Sequence, residues 1–176
     1  MIPVIDLNSS SVLEQIENAY TTVGFAVFIN ALNISEQSDM TLWQEEMKAF
    51  FDLDLETKMK YPYEGDTNLG YSVVGDENVD PTAPKDMKES FNYNDTRMSD
   101  KLWPVELPDF KQSAIRSIQI ADKLTLKILG MFDKILGTGD TLTSTHLVPF
   151  NTTTVSYTHL RAHETPEHLV CRLLLE

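Results

Sequence analysis

Leu69-Gly70-Tyr71-Ser72-Val73-Val74-Gly75-Asp76-Glu77, followed after a proline-bearing gap by Lys85-Asp86-Met87-Lys88-Glu89-Ser90-Phe91-Asn92, is the stretch on which the fold turns. Gly70 and Gly75 bracket the segment around Val73 and Val74, and Pro81 and Pro84 sit in the polar run behind it. The spacing predicts a loop whose backbone bends where side chains would obstruct. From Asp86 to Asn94 the residues alternate, with Phe91 and Tyr93 on one side and Ser90, Asn92 and Asn94 on the other. That is the pattern of a half-buried strand, so the loop feeds a strand. Lys88 and Glu89, adjacent on it, point to opposite faces and do not pair with each other.

Toward the N-terminus, Ile2-Pro3-Val4-Ile5-Asp6-Leu7 suits an edge strand, because proline removes a ladder donor. Asn8 and Ser9 to Ser11 offer caps for a helix with Val12, Leu13, Ile16, Ala19, Tyr20 and Val23 on its apolar face, ended by Gly24. Phe25 to Ile29 is β-prone and too short for a helix, and it reads as a buried strand. A second helix begins at Asn33 or Ser35, with Met40, Trp43, Met47, Phe50 and Phe51 facing the core. Asp54 to Lys60 carries acid at its start and base at its end, the order a helix dipole favours, and it reads as a short surface helix.

Toward the C-terminus, apolar residues recur at three and four from Phe110 to Leu136, and Gly137 and Gly139 stop the pattern. This is the longest helix signal in the chain, and nothing on it suggests chemistry. Asp140 is placed to cap a final short helix through Phe150, and Asn151 to Thr154 begin a β-branched strand. The elements predict an α+β fold.

With 176 residues, 41% of them hydrophobic, the chain is long enough for one domain with a core. The formal charge of −13 argues against nucleic acid and anionic membrane surfaces as partners, which require a basic footprint. A single cysteine rules out an internal disulfide. No apolar run is long enough to span a membrane and no basic leader precedes one, so a cytoplasmic protein is expected.

The pair G-Y-S-x-x-G-x-E and D-x-K-E-S-F resembles the N-terminal region of the isopenicillin N synthase-like family of non-haem Fe(II), 2-oxoglutarate-dependent dioxygenases. Ile2 to Leu7, Gly24-Phe25-Ala26-Val27-Phe28, Phe50-Phe51 with Glu56 and Lys58, and Leu102-Trp103-Pro104 fall in the family's order and rough spacing. The resemblance runs from Met1 to about Thr154. It implies the helical and mixed-strand region that precedes a double-stranded β-helix (jelly-roll) barrel, with the catalytic barrel missing. It also implies that the Gly-Tyr segment lies beside the active-site mouth, which makes Tyr71 and Ser72 candidates for contact with a small-molecule substrate. The alternative for Tyr71 is that it packs on its own loop.

In the intact family, Fe(II) and 2-oxoglutarate activate oxygen, the co-substrate is decarboxylated, and hydrogen is taken from an unactivated C–H bond. The iron is held by His-x-Asp and a distant His, and an Arg-x-Ser pairs with the 2-oxoglutarate carboxylate. No His-x-Asp is found here. His146, the one histidine outside the C-terminal tail, has Val148 where the aspartate would stand. No metal ligand and no catalytic residue is therefore assigned, and neither Fe(II) nor 2-oxoglutarate is expected to bind this chain. Two other readings stay open: an isopenicillin N synthase-type oxidase that uses no 2-oxoglutarate, and a non-enzymatic acidic module that binds a partner protein through the helix at 108–136.

Val155 to Glu176 resembles a translated sequencing-library adapter. Val155-Ser156-Tyr157-Thr158-His159-Leu160-Arg161-Ala162-His163-Glu164-Thr165 follows codon by codon from one constant part of such an adapter, and Leu169-Val170-Cys171-Arg172-Leu173-Leu174-Leu175-Glu176 follows from the other. Pro166, Glu167 and His168 fill the variable index between them, and His168 obeys the fixed bases that end it. The tail, 155–176, is therefore set apart from 1–154, the incomplete dioxygenase N-terminal domain. It contains the only cysteine and three of the four histidines. His163-Glu164 falls short of a zinc-protease helix, because position 167 is Glu and Pro166 breaks the helix that would align the ligands.

Overall fold

A computed structural model describes residues 1–76, 87–94 and 96–146, and the backbone of 154–159. Its elements are β1 (Val4–Asp6), α1 (Val12–Thr22), β2 (Val27–Ile29), α2 (Ile34–Asp52), α3 (Leu55–Lys58), β3 (Gly70–Ser72), β4 (Lys88–Tyr93), a 3-10 turn (Asp100–Leu102), α4 (Phe110–Leu136), α5 (Thr141–His146) and β5 (Thr154–His159). The mixture is α+β, as the periodicities predict. No helix among the described residues is long and apolar enough to cross a membrane. The chain divides into two compact units: Met1–Ser38 with the described part of Gln119–Phe150, and Asp39–Ile118 with β5.

In the first unit β1 and β2 pair in parallel, Val4 opposite Val27 and Asp6 opposite Ile29, with α1 as the crossover. Ile5, Ile16 and Ala19 form its core, and Val12, Ala26, Phe28, Met131, Phe132 and Ile135 pack against them. The Tyr20 ring meets Phe132 edge-on at 4.9 Å. Two expectations change here. Phe25 is exposed and β2 begins only at Val27, because Gly24 at φ +81° turns the chain first. β2 is half-buried rather than buried, with Val27, Phe28 and Ile29 each partly exposed. The α1 cap is also indirect: Ser11 makes no side-chain cap, and Ser9 Oγ accepts from Ser11 N and Gln15 Nε2.

α2 opens on a reciprocal capping box, with Glu36 N donating to Asn33 Oδ1 at 3.0 Å and Asn33 N to Glu36 Oε2 at 2.9 Å. After α4, Gly137 and Gly139 adopt φ +67° and +71°, the left-handed stop that the sequence predicts. The carboxylate that caps α5 is not that of Asp140 but that of buried Asp133. It accepts from Leu142 N at 2.9 Å, Thr143 N at 3.0 Å, Thr143 Oγ1 at 2.8 Å and Thr138 Oγ1 at 2.6 Å. Burial alone would push the Asp133 pKa up, but these four bonds outweigh it and hold the carboxyl well below the usual carboxylate range. The expected extension of this last helix to Phe150 lies outside the described residues, as does the loop from Glu77 to Asp86.

The second unit has an aromatic core. The α2 residues Met40, Trp43, Met47 and Phe50 are buried, as their spacing predicts. Phe50 lies 4.7 Å from Phe91 and 5.5 Å from Phe110, and Trp43 lies 4.8 Å from Tyr93 and 5.0 Å from Phe110. Pairs at these separations add about 0.5–1.5 kcal/mol each beyond burial. The sheet runs β3-β4-β5, antiparallel throughout. Gly70–Ser72, expected as loop, is a strand because it pairs with Ser90–Asn92. β5 begins at Thr154, where a strand was expected, and continues through Val155–His159 into the tail set apart above. Backbone pairing asks only for extended, β-permissive residues, which Val, Tyr and Thr are.

Candidate functional site

The two faces of β4 carry different chemistry. The expected half-buried strand is buried on both sides: Glu89, Phe91 and Tyr93 face the aromatic core, while Ser90, Asn92 and Asn94 on the opposite side are also covered. In β3, Tyr71 stands opposite Phe91 and shares its face, and Ser72 stands opposite Ser90 and shares the polar one. The two residues singled out from the sequence therefore point in opposite directions.

On the aromatic face the Tyr71 ring packs 5.8 Å from Phe50, and its hydroxyl donates to Glu89 Oε2. Lys58 Nζ donates to the same oxygen at 2.8 Å and to Phe51 O at 3.1 Å, and it stands 5.5 Å from the Tyr71 ring centroid. The Lys58 and Glu89 side chains are only 9% and 8% exposed, so this is a buried ion pair. α3 lies at the surface as its charges suggest, with Leu55 and Glu56 exposed, and only Lys58 departs from that pattern. Asp54 caps it through Thr57 N at 2.9 Å, and the short helix aims Lys58 inward. Burial, then the bond to Glu89, pushes the Tyr71 phenol well above its ordinary pKa. A phenol held neutral and already donating to a carboxylate is a poor acid near neutral pH. The cluster joins α3, β3 and β4.

The polar face is built differently. Gly70, opposite Asn92, is at φ +102°, and a Cβ there would lie 2.9 Å from the Pro62 carbonyl carbon, so only glycine lets the 61–63 segment pass this close. Asn68, also left-handed at φ +59°, presents Oδ1 to two donors: Tyr63 Oη at 2.7 Å and Asn92 Nδ2 at 3.2 Å. Asn92 Oδ1 is buried and has no hydrogen-bond partner among the described residues. At the strand end, Asn94 Oδ1 accepts from Thr96 N and Arg97 N, a side-chain turn that stops β4.

Sequence reasoning missed Lys58, Glu89, Asn68 and Asn92. The two-residue period of a strand already sets Glu89 beside Phe91 and Asn92 beside Ser90. What no local pattern supplies is the contact across 31 residues between Glu89 and Lys58.

Among the described residues no three His, Cys, Asp or Glu side chains are grouped so as to hold a metal ion. His146 is the last residue of α5. The donor set does not fit a facial triad of two histidines and a carboxylate, and no step through iron is derived for this chain.

Comparison with known proteins gives a consistent result. No curated protein matches the chain by sequence. Among solved structures, a 2OG-Fe(II) oxygenase family protein from Caulobacter crescentus is 23% identical with a TM-score of 0.63, over 77% of this chain and 48% of that one. A full-length protein of Neurospora crassa, solved in complex with alpha-KG, is 23% identical with a TM-score of 0.60, over 77% and 47%. JOX2, in complex with 2OG, Fe and JA, is 21% identical with a TM-score of 0.67, over 81% and 43%. Identities this low show a shared fold, and the chain spans about half the length of these structures. The sequence profile described as "non-haem dioxygenase in morphine synthesis N-terminal" matches residues 2–110, more than half of the chain, which therefore belongs to the family of non-haem dioxygenase N-terminal regions.

Proposed function

We propose that residues 1–154 are the N-terminal part of a non-haem Fe(II), 2-oxoglutarate-dependent oxygenase, whose jelly-roll barrel is not in this chain and whose β3–β4 sheet forms one wall of the substrate pocket. The observation that carries this reading is the family match over residues 2–110, joined to a fold shared with oxygenases of about twice the matched length. The whole enzyme would convert 2-oxoglutarate, oxygen and a small organic substrate to succinate, carbon dioxide and an oxidised product. Fe(II) would activate oxygen, the oxidant, with 2-oxoglutarate giving two of the electrons, through ligands that the described residues do not provide. This chain's own residues shape and line the pocket. Ser72 offers a hydroxyl to the substrate from the polar face. Tyr71, the other expected contact, donates its hydroxyl to Glu89 and holds β3 in place from the opposite face. The 176-residue chain is inactive, and Val155–Glu176 is adapter-derived.

The test has two arms. The nucleotide sequence of codons 154–176 should match adapter and index. Residues 1–154 continued by their own downstream reading frame should release succinate in proportion to substrate oxidised, whereas the 176-residue chain should not. Stoichiometric facial-triad iron in the purified 176-residue chain overturns the reading. Oxygen consumption by the extended protein without 2-oxoglutarate turns it into the isopenicillin N synthase-type oxidase.

A further inference from the structure

The polar face of β3 and β4 ends in one acceptor that the fold orients and leaves unused. Asn92 is 5% exposed, and its amide cannot turn over freely. Nδ2 is given to Asn68 Oδ1, which already accepts from Tyr63 Oη, so a flipped amide would set two carbonyl oxygens against each other. Asn68 is fixed in its turn by a left-handed backbone. Oδ1 of Asn92 is thereby aimed away from this relay with no partner among the described residues. A buried acceptor without a donor costs free energy, and a fold that both orients and buries one has the form of a site awaiting a donor.

Resting on the reading of β3–β4 as a substrate wall, we propose that Asn92 anchors the organic substrate by accepting a hydrogen bond from an uncharged N–H or O–H, the chemistry of an amide, lactam, ureide or alcohol. The neighbours fit such a group. Ser72 and Ser90 are paired across the strands on the same face, and Gly70, opposite Asn92, contributes no side chain. On this face of β4, among the described residues, Lys88 is four residues along the strand and about 13 Å away. A carboxylate brought to this acceptor would meet oxygen with oxygen, so the wall selects against an anion at this point.

The experiment uses the 176-residue chain, labelled with nitrogen-15, and three probes of one shape: benzamide, N,N-dimethylbenzamide and benzoate. Benzamide should shift the Asn92 side-chain amide and the backbone signals of Ser72 and Ser90. Loss of its N–H donors in N,N-dimethylbenzamide should weaken binding about tenfold, the worth of one hydrogen bond. Benzoate should be weaker still, and Asn92→Leu should lose the preference for benzamide. The probe series needs no mutation, so it stands even where Asn92→Leu fails to fold. Equal binding of benzamide and its dimethyl derivative, or no benzamide binding on this face, overturns the assignment. That outcome is distinct from failure of the oxygenase reading, which shows as absent 2-oxoglutarate turnover in the extended protein.

Discussion

Replacing Lys58 by Met leaves Glu89 charged, 8% exposed and held only by the Tyr71 hydroxyl. At this depth the surface value for an ion pair, about 0–1 kcal/mol, does not apply. Breaking a buried pair from one side costs about 3–5 kcal/mol, because a desolvated charge is stranded. Glu89→Leu strands Lys58 in the same way, apart from its bond to Phe51 O. The double variant Lys58→Met/Glu89→Leu has no stranded charge, and its main loss is the Tyr71 hydroxyl's partner, worth about 1 kcal/mol. Each single change should therefore exceed the double by about 2 kcal/mol or more, a coupling of about 5 kcal/mol or more. Hydrogen exchange at the amides of Tyr63 and Tyr71 reads this locally, since both donate across the β3 edge, to Tyr71 O at 2.9 Å and Tyr61 O at 2.7 Å. At tenfold per about 1.4 kcal/mol, each single variant should speed exchange at least about a hundredfold. The double should recover most of that. Single variants within about fivefold of wild type, or a double no slower than the faster single, would refute the view that this pair locks α3 to the sheet.

Four other outcomes follow from the same geometry. Tyr71, with its pKa raised by burial and by Glu89, should contribute stability that is complete below pH about 10 and lost as pH rises beyond it; a phenolate absorbance titration should show its ionisation only with unfolding, and Tyr71→Phe should remove that step. Asp133, with its pKa lowered, should stabilise the α4–α5 turn fully above pH about 4 and progressively less below it; Asp133→Asn should lower Tm at neutral pH, with the gap to wild type closing in acid. Glu46 has a buried, unpartnered Oε2 and a pKa raised by burial and by the charges of Asp109 and Glu45, so Glu46→Gln should raise Tm at pH 7 and lose that advantage as pH falls toward about 4. Gly70→Ala should cost at least about 1–2 kcal/mol for the left-handed backbone alone, with the Pro62 clash in addition, seen as a lower urea midpoint.

Much of the fold was legible because its helices are long and periodic. The apolar spacing of α2 and α4 names Trp43, Phe50, Phe110 and Ile118, all of which are buried. The stop at Gly137 and Gly139 needs only local backbone chemistry. What failed to show is whatever distant chain decides. Lys58 looks like the basic end of a surface turn until Glu89 arrives from 31 residues away. β4 looks half-buried because Ser and Asn read as solvent-facing, and only the three-dimensional arrangement covers them. Gly70 and Tyr71 read as loop because a three-residue strand has too few alternations to register, and its identity comes from pairing with β4. The site candidates share this limit: proximity in sequence joined Tyr71 to Ser72, and the pleat separates them.

The passage of Tyr61–Tyr63 across Gly70 also governs how the molecule meets its own copies. β3 is a sheet edge, and an edge with free N–H and C=O groups templates aggregation by strand addition. Here Pro62 bridges to Tyr71 and Glu64 to Leu69, so β3's outer hydrogen bonds are already made within the chain. Pro62 has no N–H to offer a further strand. An incoming peptide would first have to displace this strap, which makes the β3 side resistant to the intermolecular pairing that a bare three-residue strand would invite.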